Sequence, residues 1–133
     1  MGGNMKSFQV STSSRNEFIS ITSKVTDKLN KIGIEEGVCT VYCPHTTGAI
    51  TINESADPNV VRDMNRKLKE LVPSNDSYKH REGNSDSHIK SSIIGNTVQI
   101  IVENGELQLG TWQGIFFCEF DGPRTRKVWV KVN

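Results

Sequence analysis

The chain has 133 residues, the size of one ordinary domain, with 35% hydrophobic and 23% charged residues, a balance that excludes a disordered polymer and supplies a core. Its 16 basic and 15 acidic residues leave a net charge of +1, which excludes the broad basic stripe that grips a nucleic-acid backbone. No apolar run approaches the roughly 20 residues that cross a bilayer, and MGGNMKSF lacks the apolar stretch of a secretory signal.

Residues 1–5 are expected to be a flexible start, with the fold beginning near Met5. Phe8 and Val10 alternate with polar neighbours as in a strand, and Phe18 to Ile21 is a second short apolar run. Thr22 is placed as the N-cap of a helix that carries Val25, Leu29 and Ile32, with Gly33 as its stop. Gly37 opens a strand with Cys39, Val41 and Cys43 on one face; Pro44 ends it. His45, Thr46, Thr47 and Gly48 turn the chain into a strand over 49–53. Asp57 reads as the N-cap and Pro58 as the first residue of the strongest helix, with Val60, Val61, Met64, Leu68, Leu71 and Val72 as its apolar stripe. Pro73 closes it. The stretch 74–87 is almost free of apolar residues. A short helix over 88–94 follows, capped by Ser87 and ended by Gly95.

The remainder predicts strands at 97–102, 107–109, 115–120 and around Val128, Val130 and Val132. Helices do not separate these late strands, so the sheet pairing is expected to be antiparallel. The single domain is therefore predicted to be α+β, with sandwich-like antiparallel sheets and two to three helices. Ile115 to Phe120 is apolar on both faces and needs cover on both sides. A second sheet or a neighbouring subunit is expected to provide it. The three cysteines form no metal-type pair, and Cys39 and Cys43 lie too far apart along one strand to bridge. Free thiols predict a reducing, cytoplasmic setting.

Candidate chemistry lies in the polar turns. The three histidines, His45, His80 and His88, plus a water would make an open zinc-type site, although their spacing alone favours three exposed side chains. His88 is expected in the first turn of the short helix, where unpaired amides and the helix dipole disfavour imidazolium. With Ser91 and Ser92 those amides would receive a phosphate. Asn53, Glu54 and Asp57 cluster past a strand end and suit a divalent cation or acid–base work, but capping alone accounts for Asp57. Thr46 and Thr47 are turn formers or hydroxyl donors. Arg124 and Arg126 follow a turn and are either solvated or forks for phosphate. Trp112 is a lid over the sheet or, between Gly110 and Gly114, part of a ligand loop.

Taken in order, four segments resemble the YjbQ-like family: His45-Thr46-Thr47 with Asn53-Glu54 and Asp57-Pro58; Ser87 to Ser92; Gly95; and Gly110 to Ile115. The resemblance spans Phe8 to Val132. It implies an α+β fold assembled as a homotrimer and a weak, secondary thiamine-phosphate synthase activity, joining a hydroxymethylpyrimidine diphosphate to a thiazole phosphate. The family's presumed functional pair falls on Asp57 and His88, and its other histidines on His45 and His80. A divalent metal, Zn or Mg, would be held by His45, His80 and His88. Substrate would be held by Thr46, Thr47, Asn53, Glu54, Ser91, Ser92, Trp112, Gln113 and Arg124. The same parts serve a metal-dependent hydrolase of a phosphorylated metabolite, or a non-catalytic trimer that binds a metal or phosphometabolite. Neither nucleic acid nor membrane is an expected partner.

Overall fold

The computed structural model describes residues 3–133. In chain order its elements are β1 (Met5–Ser11), β2 (Glu17–Ser20), α1 (Thr22–Ile32), β3 (Gly37–Tyr42), β4 (Gly48–Glu54), α2 (Pro58–Leu71), α3 (Ser85–Ile94), β5 (Thr97–Glu103), β6 (Glu106–Leu107), β7 (Gln113–Glu119) and β8 (Thr125–Val132). Of the expected flexible start, residues 1 and 2 lie outside the described residues. Asn4 already donates to the Val132 carbonyl at 2.7 Å, and Met5 opens β1.

The strands form two sheets, ordered β1-β8-β3-β5-β6 and β2-β7-β4, and every pair is antiparallel. Strict alternation drives the first sheet. In β8, Arg126, Val128, Val130 and Val132 are buried while their neighbours are exposed. Those valines meet Val10, Cys39, Val41, Ile100 and Val102 of the same sheet. Ile50, Ile115 and Phe117 of the second sheet, with Val25 and Leu29 of α1, close this core.

The other face of β7 explains its two-sided apolar sequence. Cys118, with Ala49 and Phe120, packs against Phe18, Leu68 of α2 and Ile94 of α3. The cover on both faces therefore comes from the chain itself. The strand no longer argues for a neighbouring subunit.

Three local expectations are corrected. Ile21, not Thr22, occupies the α1 cap position and makes no side-chain cap; the Thr22 hydroxyl instead accepts from the Ile115 amide at 2.9 Å. The third helix begins at Ser85 with Asn84 as its cap. Ser87 does not cap it, because its hydroxyl donates to the Phe120 carbonyl at 2.5 Å. In α2 no residue is fully buried and Leu71 is 67% exposed, so the stripe stops at Leu68 before Val72 returns to the interior. No helix among the described residues is long and apolar enough to cross a membrane.

Candidate functional site

The β3–β4 connection, Pro44 to Thr47, passes from one sheet to the other and must be held across that gap. Arg126 holds it. Its guanidinium donates to the Thr47 carbonyl at 3.2 Å and to the Thr47 hydroxyl at 2.9 Å. It also grips Glu119 with two bonds. Glu119 accepts further bonds from the Thr12 hydroxyl at 2.8 Å and the Asp121 amide at 3.0 Å. Burial would raise the Glu119 carboxyl, but Arg126, the Asp121 amide and Thr12 outweigh it and hold it below the usual glutamate range.

On this anchor His45 sits half-buried, edge-on to Phe117 with ring centroids 6.5 Å apart. The Lys127 amide donates to His45 Nε2 at 2.9 Å. Burial, and then the charge of Arg126, push this imidazole below the ordinary histidine range. With the Nε2 lone pair engaged, the neutral ring carries its proton on Nδ1. His45 thus offers a hydrogen-bond donor rather than a free lone pair.

Two adjoining hollows of about 440 and 510 Å³ share His45, Thr46 and His88. The first also contains Thr47, His80, Glu82, Asn84, Asp121, Arg124 and Arg126. The second is lined by Gly48, Ser91, Ser92, Gly95 and Asn96 and contains no carboxylate. The Gly95 and Asn96 carbonyls accept from Ile50 and Cys43, which pins this wall to β4 and the end of β3. Gly95 has φ of 98°, a conformation that L side chains avoid. His80 and His88 stand edge to face at 5.5 Å and also line a third, less polar hollow of about 340 Å³ with Tyr78 and Ile89.

The fold therefore brings together His45, His80, His88, Thr46, Thr47, Ser91, Ser92 and Arg124. Asn84 and Arg124 both donate to Asp121 at 2.9 Å, so the Arg124 charge is largely answered. The Ser91 hydroxyl is buried without a hydrogen-bond partner, whereas Ser92 is exposed. His88 is not at a helix start: its amide is the fourth in α3 and bonds the Asn84 carbonyl at 3.3 Å. The expected amide nest at His88 is absent for that reason. Among the described residues no three His, Cys, Asp or Glu side chains come together as a metal set. One chain thus does not fit a three-histidine metal centre, because His45 has committed its Nε2.

The remaining expected residues lie elsewhere. β4 carries the chain roughly 20 Å from the His45 turn to the corner that holds Asn53, Glu54 and Asp57. There the Asp57 carboxylate accepts from the Asn59 amide at 2.9 Å, and Glu54 accepts from the Asp57 amide at 3.3 Å. Gln113 pairs with Glu54 across the sheet and accepts from the Gly110 amide at 2.7 Å. Trp112 is 63% exposed and is no lid over the sheet; its carbonyl accepts from Ser55 at 2.8 Å.

A family model described as UPF0047 protein YjbQ-like matches residues 6–133. The chain belongs to this family. It is 51% identical over 129 residues to UPF0047 protein YugU of Bacillus subtilis, covering 96% of this chain and 98% of that one. A UPF0047 protein of Methanocaldococcus jannaschii is 47% identical over 125 residues, covering 94% and 91%. The crystal structure of a YjbQ/UPF0047 protein from Clostridium acetobutylicum superposes with a TM-score of 0.94 at 52% identity, covering 96% of this chain and 99% of that one. The YjbQ-like fold is thereby established for this chain.

Sequence reasoning passed over Glu119, Asn84, Asp121 and Asn96, and read Arg126 as either solvated or a fork for phosphate, not as a buried anchor. A signal for Arg126 existed. It falls in phase with Val128, Val130 and Val132, the residues that point inward.

Proposed function

We propose that the His45–His88 cleft binds a phosphorylated small molecule and releases pyrophosphate from it slowly, as a secondary thiamine-phosphate synthase. The observation that carries this reading is the carboxylate-free hollow flanked by His45, Thr46, His88, Ser92 and Asn96. Neutral donors gathered away from carboxylates favour an oxyanion. The adjoining wall of Tyr78 and Ile89 suits the flat ring of a pyrimidine or thiazole.

In this reaction the bond from the pyrimidine methylene to diphosphate breaks, and the thiazole nitrogen attacks the cation left behind. The chain's task is to stabilise charge on the departing diphosphate. The His45 Nδ1–H and the Thr46 and Ser92 hydroxyls provide donors. Full positive charge is scarce, because Asp121 answers Arg124 and Glu119 answers Arg126. A slow reaction follows from that scarcity. A divalent metal, Zn or Mg, belongs to this reading only with ligands beyond His80 and His88, and no step is assigned to it.

The resemblance also implies a homotrimer. Asp57, past the end of β4, and His88, in the cleft beside the turn that precedes β4, lie toward opposite ends of that strand in one chain. Joint action therefore requires the Asp57 corner of one copy against the cleft of another. Three buried free cysteines support a reducing compartment such as the cytoplasm.

Pyrophosphate release from the two substrates tests the reading. His88→Ala is expected to lower kcat/KM at least about tenfold, ~1.4 kcal/mol of transition-state stabilisation. Unchanged turnover in that variant would remove the cleft from the reaction. Pyrophosphate binding without turnover would support the non-catalytic, phosphometabolite-binding alternative.

A further inference from the structure

The face of α3 turned away from the cleft carries Asp86 and Lys90, one turn apart and both buried, with Lys90 only 1% exposed. Asp86 accepts two bonds from Arg15, each 3.0 Å, and its Oδ2 lies 3.4 Å from Lys90 Nζ. Lys90 also donates to Asn16 Oδ1 at 3.1 Å and stands 5.7 Å from the centroid of the Phe120 ring. One carboxylate therefore answers two cations, and Arg15 takes the better geometry. A buried ammonium with a shared counter-charge is costly. Burial pushes the Lys90 amine below the ordinary lysine range although Asp86 opposes the shift, and Lys69 adds to it.

Against this group opens a hollow of about 240 Å³ whose wall includes Lys69, Ser74 and Asn75. None of the ion pairs among the described residues includes Lys69. The C-terminal end of α2 offers it only partial negative charge. Asp121 also acts on Arg15 but is already engaged by Arg124 and Asn84. Arg15, Lys69 and Lys90 thus outnumber the Asp86 carboxylate around a space large enough for a small anion.

We propose that this hollow is a second anion site, separate from the His45–His88 cleft, that takes a phosphate-type oxyanion. The anion lies against Lys69 and the open edge of Arg15, with the side chains of Ser74 and Asn75 as neutral donors. Lys90 and Asp86 form the inner wall of the hollow; Lys90 adds positive potential there, and the anion completes the charge balance that Asp86 leaves half made. This proposal does not depend on what the cleft binds.

Amide NMR with inorganic phosphate, at ionic strength held constant with chloride, tests it. Saturable shifts are expected at Ser74 and Asn75. Lys69→Gln, an exposed substitution that leaves the core untouched, is expected to weaken them at least about tenfold in Kd. His88→Ala, on the opposite face of α3, is expected to leave them unchanged. Shifts that do not saturate, that chloride reproduces, or that survive Lys69→Gln would overturn the site. A phosphomonoester tried beside inorganic phosphate identifies the source, the tighter of the two being the better ligand.

Discussion

Arg126 spends its charge on architecture: it ties Glu119 to the Thr47 turn and so fixes where His45 can stand. Removing one partner of a buried pair leaves the other uncompensated, which costs about 3–5 kcal/mol. Arg126→Met is therefore expected to lower the denaturation free energy by that order, measured in urea; a change below about 1 kcal/mol would mean the network is slack. The same network sets an acid limb. Glu119 binds its proton more weakly folded than unfolded, so its contribution is complete above the ordinary glutamate range and is lost as pH falls through and below it. His45 acts in the same direction higher up, since its depressed affinity for a proton makes the folded state lose ground as pH falls below the ordinary histidine range. Nitrogen-15 NMR of the ring should show a neutral Nδ1–H tautomer. An Nε2–H tautomer, or a ring charged at its ordinary pKa, would remove His45 from the role of oxyanion donor. At this scale the sequence was half legible: the types His45, Thr46 and Arg124 announced polar chemistry, but hydrogen-bond direction at His45 depends on Lys127, 82 positions away.

At the scale of elements, hydrophobic phase carried most of the fold into view. The alternation in β8 and the Gly33 stop of α1 were readable because local sequence and tertiary burial agree there. The start of α3 was not, because the residues it buries are Asp86, Ser87, Lys90 and Ser91. A helix whose inner face is polar shows no apolar period to read. The reading of α2 rested on its cap, and the cap is made, with the Asp57 side chain accepting from Asn59. Asp57 is exposed and engaged at a helix end, so substitution separates its two roles. Asp57→Asn keeps the acceptor and is expected to leave stability near wild type. Asp57→Ala is expected to cost about 0.5–2 kcal/mol through the cap alone. If pyrophosphate release is full in Asp57→Asn while Asp57→Ala only melts earlier, the residue caps α2 and has no part in the chemistry.

For the whole molecule, the decisive fact is that the candidate site residues fall into two groups at opposite ends of β4. His45, His80, His88 and Arg124 gather at one end; Asn53, Glu54, Asp57, Trp112 and Gln113 gather at the other. Sequence order hid this separation, because a motif read along the chain carries no distance across the fold. A ring of identical copies would close it, each copy presenting its Asp57 corner to the cleft of the next. Light scattering should then give a mass well above the 14.8 kDa of one chain. Co-expression offers a sharper measure. Asp57→Asn chains and His88→Ala chains should each be poor catalysts alone. In mixed rings, about one quarter of the clefts pair an intact Asp57 from one copy with an intact His88 from its neighbour, by random assortment within a cyclic oligomer. Pyrophosphate release should recover toward that fraction of wild type. Were each site built within one chain, mixing would recover nothing, and the two ends of β4 would have to be assigned separate tasks.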